Sequence, residues 1–133
     1  MVKFQVATSS REELVNVTDL VEEAVRRSGV ASGVAVVYTP HTTAAVTINE
    51  NADPDVRADV IAGLRALVPR NLVPFRHSEG NSDAHLKASL VGPSVQVIFA
   101  DGHLALGVWQ AIYLCEFDGP RHREIWVQVV ASS

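Results

Sequence analysis

A single cysteine, Cys115, stands among 133 residues. No intramolecular disulfide can form, and a cysteine-rich zinc site is excluded. Long apolar runs are missing too: no stretch reaches the ~18 residues that a membrane span requires. The opening segment MVKFQVATSSREELVNV alternates instead of running apolar, so no secretory signal peptide is expected there. Positive charge is not in excess. Lys and Arg number 11 against 15 Asp and Glu, a formal net charge of -4. That argues against a broad nucleic-acid-binding surface but leaves room for a local cationic pocket. No Walker loop, GxGxxG segment, nucleophile elbow or HExxH occurs, which disfavours nucleotide-cofactor folds, serine hydrolases and the short metalloprotease signature. Low-complexity tracts, linkers and internal repeats are absent as well. The expectation is a cytoplasmic protein with no membrane, nucleic-acid or nucleotide-cofactor partner.

What is present reads as one domain over residues 1–133. Hydrophobic residues make up 47% and charged residues 20%, an ordinary globular balance at a length that buries a real core. KFQVAT and ELVNVT each alternate apolar and polar residues around a turn-like SSRE, which predicts an antiparallel hairpin. Thr18 or Asp19 then caps a helix with Leu20, Val21, Ala24 and Val25 in one stripe, stopped at Ser28-Gly29. GVAVVYT and AAVTIN are two β-branched strands flanking PHTTA. Asp53 suits an N-cap and Pro54 the first helical position. The apolar spacing of Val56, Val60, Ile61, Leu64 and Leu67 continues that helix up to Pro69. Ser82 opens a short third helix through about Leu90. SVQVIFA, LGVWQAIYLCEF and EIWVQVV close the chain as strands, the first two joined by a turn at Asp101-Gly102. Strands outnumber helices and are expected to pair mostly with their sequence neighbours. The fold class is α+β, with mostly antiparallel sheets in a sandwich-like arrangement and two or three helices.

The polar residues gather in a few places. HSEGNSDAH, residues 77 to 85, carries a histidine at each end with Glu79 and Asp83 between them. His77 and His85 bracket a Gly80-Asn81 turn, so their side chains can converge. His85 also falls in the first turn of the third helix, where backbone N–H groups favour anions. His41 follows Pro40 where a strand ends. If GVAVVYT and AAVTIN pair, Asn49 and Glu50 lie at the far end of the hairpin from His41. Another element, or another subunit, would then have to join them. Each residue also has a plain structural reading. A lone histidine is more often a hydrogen-bonding residue than a ligand, Asp53 is first a helix cap, and Cys115, Trp109 and Trp126 read as core or interface.

YTPHTTAAVTINENADPDVRADV, HSEGNSDAHLKASLVGPSV and DGHLALGVWQAIYLCEFDGPRHREIWVQV together resemble the YjbQ family of small proteins, often labelled secondary thiamine-phosphate synthase enzymes. The resemblance covers nearly the whole chain. It implies an α+β sandwich-like fold that assembles as a homotrimer. It also implies an active site drawn from His41, Asn49, Glu50, Asp53, His77, Asp83, His85 and Lys87. Some relatives carry EGPDDMPAH where this chain has the shorter EGNSDAH, which leaves open which carboxylate enters the site.

Three functions are weighed on this basis. The first is an enzyme acting on a small phosphorylated metabolite, thiamine-phosphate synthase-like. Its catalytic residues would be Glu50, Asp53, Asn49 and Asp83, and Lys87 with Arg121 (or a nearby Arg57 or Arg123) would hold phosphate. Major synthases of that reaction are TIM barrels of about 200 residues or more, so this chain would be an unrelated scaffold. The second is a metal-dependent hydrolase. In it His41, His77 and His85 bind a divalent ion (zinc, magnesium or manganese) and Glu50 or Asp53 acts as base. The third is a non-catalytic trimeric protein that holds an anion or metabolite. LGVWQAIYLCEF is apolar on both alternating faces and so needs cover twice. That cover comes either from within the domain or from a neighbouring subunit, and the resemblance favours the subunit.

Overall fold

The computed structural model describes residues 1–133. Its elements in chain order are β1 (Val2–Ala7), β2 (Glu13–Asn16), α1 (Thr18–Ser28), β3 (Gly33–Tyr38), β4 (Ala44–Glu50), α2 (Pro54–Leu67) and α3 (Ser82–Val91). β5 (Ser94–Ala100), β6 (His103–Leu104), β7 (Gln110–Glu116) and β8 (His122–Ala131) complete the chain. A five-stranded sheet has the order β1-β8-β3-β5-β6 and a three-stranded sheet the order β2-β7-β4. Every pairing is antiparallel. The α+β sandwich expected from the sequence is the fold observed.

The two sheets enclose the main core. Val37, Phe99, Ile125 and Val127 from one sheet meet Val46, Ile112 and Leu114 from the other, and α1 closes the cluster with Val21, Ala24 and Val25. β7 alternates between two cores. Ile112 and Leu114 face the large sheet, whereas Ala111, Tyr113 and Cys115 face α3 residues Ala84 and Ala88, flanked by Val60, Ile61 and Leu64 of α2. The second apolar face of β7 is therefore covered from within the chain. Three layers result: the large sheet, the small sheet, and α2 with α3. No helix is long and apolar enough to cross a membrane.

Local signals placed the helices well. Asp53 caps α2 by accepting from the Asp55 N–H at 2.9 Å, with Pro54 at the first turn. α1 differs in its cap. Val17 occupies the N-cap, and the Asn16 side chain instead accepts from the Thr18 N–H at 3.0 Å.

Strand partners differ more. β1 does not pair with β2: it pairs with β8, while β2 pairs with β7 in the other sheet. β3 and β4 likewise belong to opposite sheets. The Asp101-Gly102 turn, with φ of 53° and 75°, joins β5 to the two-residue β6, not to β7. Alternation fixes which face of a strand is buried but not which strand lies beside it, and both inner faces of a sandwich are apolar.

The consequence for function lies in the connections. Thr39–Thr43 steps from the large sheet to the small one. The Thr39 N–H donates to Pro93 O and its Oγ1 to Glu124 O, whereas Thr43 O accepts from the Phe117 N–H. The segment after β7 makes the reverse crossing, and the loop into α3 arrives at the same end.

Candidate functional site

These connections bound a cleft of about 400 Å³ lined almost wholly by polar and charged side chains. The β3–β4 crossing contributes Pro40, His41, Thr42 and Thr43. The segment leading into α3 contributes His77, Glu79 and Asn81, the first turn of α3 contributes His85, and the β7–β8 crossing with the start of β8 contributes Asp118, Arg121 and Arg123. The three histidines singled out in the sequence thus line one cleft. The His77 and His85 rings are edge-on with centroids 5.6 Å apart, and His77 Nε2 lies 3.7 Å from Glu79 Oε2.

His41 is held differently. Its Nε2 accepts the Glu124 backbone N–H at 2.9 Å, so the neutral ring carries its proton on Nδ1. Burial, and then the nearby Arg123 charge, pull its pKa below the usual imidazole range. With that lone pair engaged, His41 cannot present Nε2 to an ion without losing the bond. Nowhere do three His, Cys, Asp or Glu side chains converge closely enough to hold a metal. The donor set does not fit a preassembled three-histidine centre.

Behind the cleft lies a buried ion pair that bridges the sheets. Arg123 of β8, 4% exposed, donates from Nε and Nη2 to Glu116 of β7, and from Nη2 to Thr43 Oγ1 at 2.8 Å. Glu116 also accepts from Thr8 Oγ1 at 2.7 Å and from the Asp118 N–H at 3.0 Å. Burial alone would raise the Glu116 pKa, but the hydrogen bonds from Arg123 and Thr8 outweigh it and hold the carboxyl below its ordinary value. Gly119 is required beside it: a Cβ there would lie 2.4 Å from Ser10 O and 2.7 Å from Glu116 Cγ. At the rim, Arg121 donates to Asp118 Oδ2 at 2.9 Å and to the Asp118 carbonyl at 2.7 Å.

α3 meets the cleft with its N-terminus. Asn81 is the N-cap residue, yet its side chain makes no cap to the first turn. Its Nδ2 donates instead to Asp118 Oδ2 at 2.8 Å, with a longer contact to Glu79 Oε2 at 3.5 Å. Asn81 Oδ1 is buried without a partner, the sole such side-chain atom in the chain, and an arrangement of that kind costs about 1–3 kcal/mol.

The remaining sequence candidates lie elsewhere. Asp83 and Lys87 are on α3 but face away from the cleft, 0% and 1% exposed. Lys87 Nζ lies 3.0 Å from both Asp83 Oδ2 and Glu12 Oε2; Arg11 adds a 3.2 Å contact to Asp83, and Arg65 a 3.0 Å contact to Glu12. Burial pushes both carboxyls up, but the hydrogen bonds from Lys87 and the arginines hold them below their ordinary values. Expected as a phosphate ligand, Lys87 has its ammonium between two carboxylates in a closed network, because the β1–β2 connection folds over α3. Asn49, Glu50 and Asp53 lie at the opposite end of β4, about 20 Å away at ~3.4 Å per residue. There Asn49 Oδ1 accepts from the Glu50 N–H, and Tyr113 Oη lies 3.0 Å from Glu50 O. Arg57, also weighed for phosphate, stacks over the Tyr113 ring at that same end. Sequence reasoning passed over Glu116, Thr43 and Asn81; the one visible signal was a charged residue ending the apolar run AIYLCE.

Comparison with known proteins agrees with the architecture. The family model described as "UPF0047 protein YjbQ-like" matches residues 2–132. A UPF0047 protein of Methanocaldococcus jannaschii is 53% identical over 128 residues, covering 96% of this chain and 92% of that protein. UPF0047 protein YugU of Bacillus subtilis is 47% identical, with 96% of each chain covered. The crystal structure of an uncharacterized conserved YjbQ/UPF0047 protein from Clostridium acetobutylicum superposes with a TM-score of 0.94. Its identity is 48%, over 98% of this chain and 100% of that one. A conserved hypothetical protein from Thermus thermophilus gives 0.90 at 42% identity, covering 98% and 100%. The chain belongs to the YjbQ/UPF0047 family.

Proposed function

We propose that the cleft binds a small phosphorylated metabolite, with the phosphate at the N-terminus of α3 between the histidines and the β7–β8 arginines. One observation carries this reading: three imidazoles and two guanidiniums line the same cleft as Asn81, the N-cap residue of α3, whose first turn has no side-chain cap. Arg121 and Arg123 engage their carboxylate partners through Nε or Nη2, which leaves Nη1 of each for a ligand. A charged N–H donor from each suits a phosphate oxygen.

The finer reading is group transfer in which a diphosphate leaves, as in a thiamine-phosphate synthase-like reaction. Such a reaction asks for cationic groups around the leaving diphosphate and for a positioned nucleophile. His77 and His85 are the groups placed to exchange a proton with a bound substrate. The His41 lone pair is engaged and the three imidazoles are not preassembled around an ion, so these side chains would meet the substrate directly. The non-catalytic reading, a protein that only holds an anion, uses the same groups without turnover.

We also propose a homotrimer in the cytoplasm. The outer face of the large sheet supports assembly: Tyr38, Ile98 and Val130 are 38%, 67% and 53% exposed there. A site shared between copies would need Glu50, Asn49 or Asp53 of a neighbouring copy beside the histidines. Light scattering checks the mass; a monomer with full ligand affinity would contradict a shared site.

The functional test combines calorimetric titration of phosphate and pyrophosphate with an assay of thiamine phosphate formed from the pyrimidine diphosphate and the thiazole phosphate. Binding with turnover supports the synthase-like reading, binding without turnover supports the holding protein, and no binding removes both.

A further inference from the structure

We propose that the cleft's ligand carries an amino group beside its phosphate, and that Asn81 Oδ1 is the acceptor for it. This rests on the phosphate-binding reading above and adds the part of the ligand that phosphate does not explain. Asn81 is 6% exposed and lines the cleft, yet its carbonyl oxygen has no donor. An asparagine at an N-cap ordinarily spends that oxygen on the first-turn N–H groups, and here it does not. The orientation of the amide is fixed by its neighbours. Its NH₂ meets Asp118 Oδ2 at 2.8 Å and Glu79 Oε2 at 3.5 Å, so turning it over would set its oxygen against two carboxylates. The site therefore pairs an unused acceptor with unused helix-terminal donors. A ligand with an anionic group and a donor group satisfies both at once.

The chemistry of that donor follows from its neighbours. Arg121 pairs with Asp118, whereas no lysine or arginine pairs with Glu79, whose one basic neighbour is His77 at 3.7 Å. An ammonium or other N–H donor at Asn81 gains from the Glu79 charge, whereas a second phosphate or carboxylate there is repelled. The Glu79 side chain is 65% exposed and its contact with Asn81 Nδ2 is the longer of the two, so it can turn toward a ligand without disturbing the sheets.

Calorimetric titration of the full chain with three probes tests this: inorganic phosphate, ethyl phosphate and O-phosphoethanolamine, the last two differing chiefly in the amine. The expected result is tenfold or tighter binding of phosphoethanolamine than of ethyl phosphate, reduced several-fold in Glu79→Gln and abolished in Asn81→Ala. The wild-type comparison needs no variant to fold, and Glu79→Gln changes an exposed side chain. Equal affinity for the two esters would overturn the amino-group inference while the phosphate reading stands, with a buried water then satisfying Oδ1. A preference that survives Asn81→Ala would overturn the assignment to Asn81. Failure of all three probes to bind would remove the phosphate reading and this inference with it.

Discussion

Two pairs of polar residues on α3 share the same spacing and have opposite fates. Asp83 and Lys87, four apart, point into the protein and meet Arg11, Glu12 and Arg65 until every charge has a partner. Asn81 and His85, also four apart, point to the cleft, where an amide oxygen and an uncapped helix end remain unpaired. A closed network holds the β1–β2 connection onto the helix and has nothing left for a ligand. An open one carries a folding cost that a ligand can recover. Completeness of pairing, not residue type, separates the structural face of α3 from its functional face.

The largest expected effect breaks the closed face. Lys87→Met leaves Asp83 and Glu12 buried without their common cation and should cost about 3–5 kcal/mol in urea unfolding. A loss of phosphate affinity at unchanged stability would instead place Lys87 in the site. Gly119→Ala comes next. Its Cβ must displace Ser10 O or Glu116, so about 1–3 kcal/mol of destabilisation is expected, with the cleft disturbed through Arg123.

Acid should act on the two faces at different pH. His41 has a folded pKa below its unfolded value of about 6.5, so the unfolded chain binds more protons in that interval. Its contribution to stability is present above about pH 6.5 and is lost as pH falls through the lowered folded value, when Nε2 can no longer accept the Glu124 N–H. Asp83, Glu12 and Glu116 also have lowered pKa values, so their contributions are present above about pH 4.5 and fall away below it. Chemical denaturation from pH 8 to pH 3 should show both declines, and His41→Gln should remove only the upper one.

The smallest effect on stability sharpens the contrast. His85→Ala, at a partly buried position with no side-chain hydrogen bond, should change unfolding by only about 0.5–1 kcal/mol while weakening phosphate binding about tenfold. A folding defect without a binding defect would reverse the assignment of the two faces.

Much of this was legible in the sequence, for local reasons. The Asp53 cap and Pro54 read correctly because both act within one turn, and the burial of Cys115 followed from the double apolar face of its strand. Burial pushes that thiol up to about 12, which makes it inert at neutral pH. His41, His77 and His85 were recognisable as one group because three imidazoles in two short loops are unusual. Strand partners were not legible, since an alternating strand fits either sheet. Nor was the burial of Lys87, which depends on Glu12, 75 residues away in sequence, folding over the helix.

The most direct test of the two faces is a crystal structure grown with phosphate. The ion is expected in the cleft, within hydrogen-bonding distance of the Ser82 or Asp83 N–H and of His85, with Lys87 still held by Asp83 and Glu12. Phosphate at Lys87, or beside Arg57 and Glu50 with the cleft unoccupied, would contradict the account.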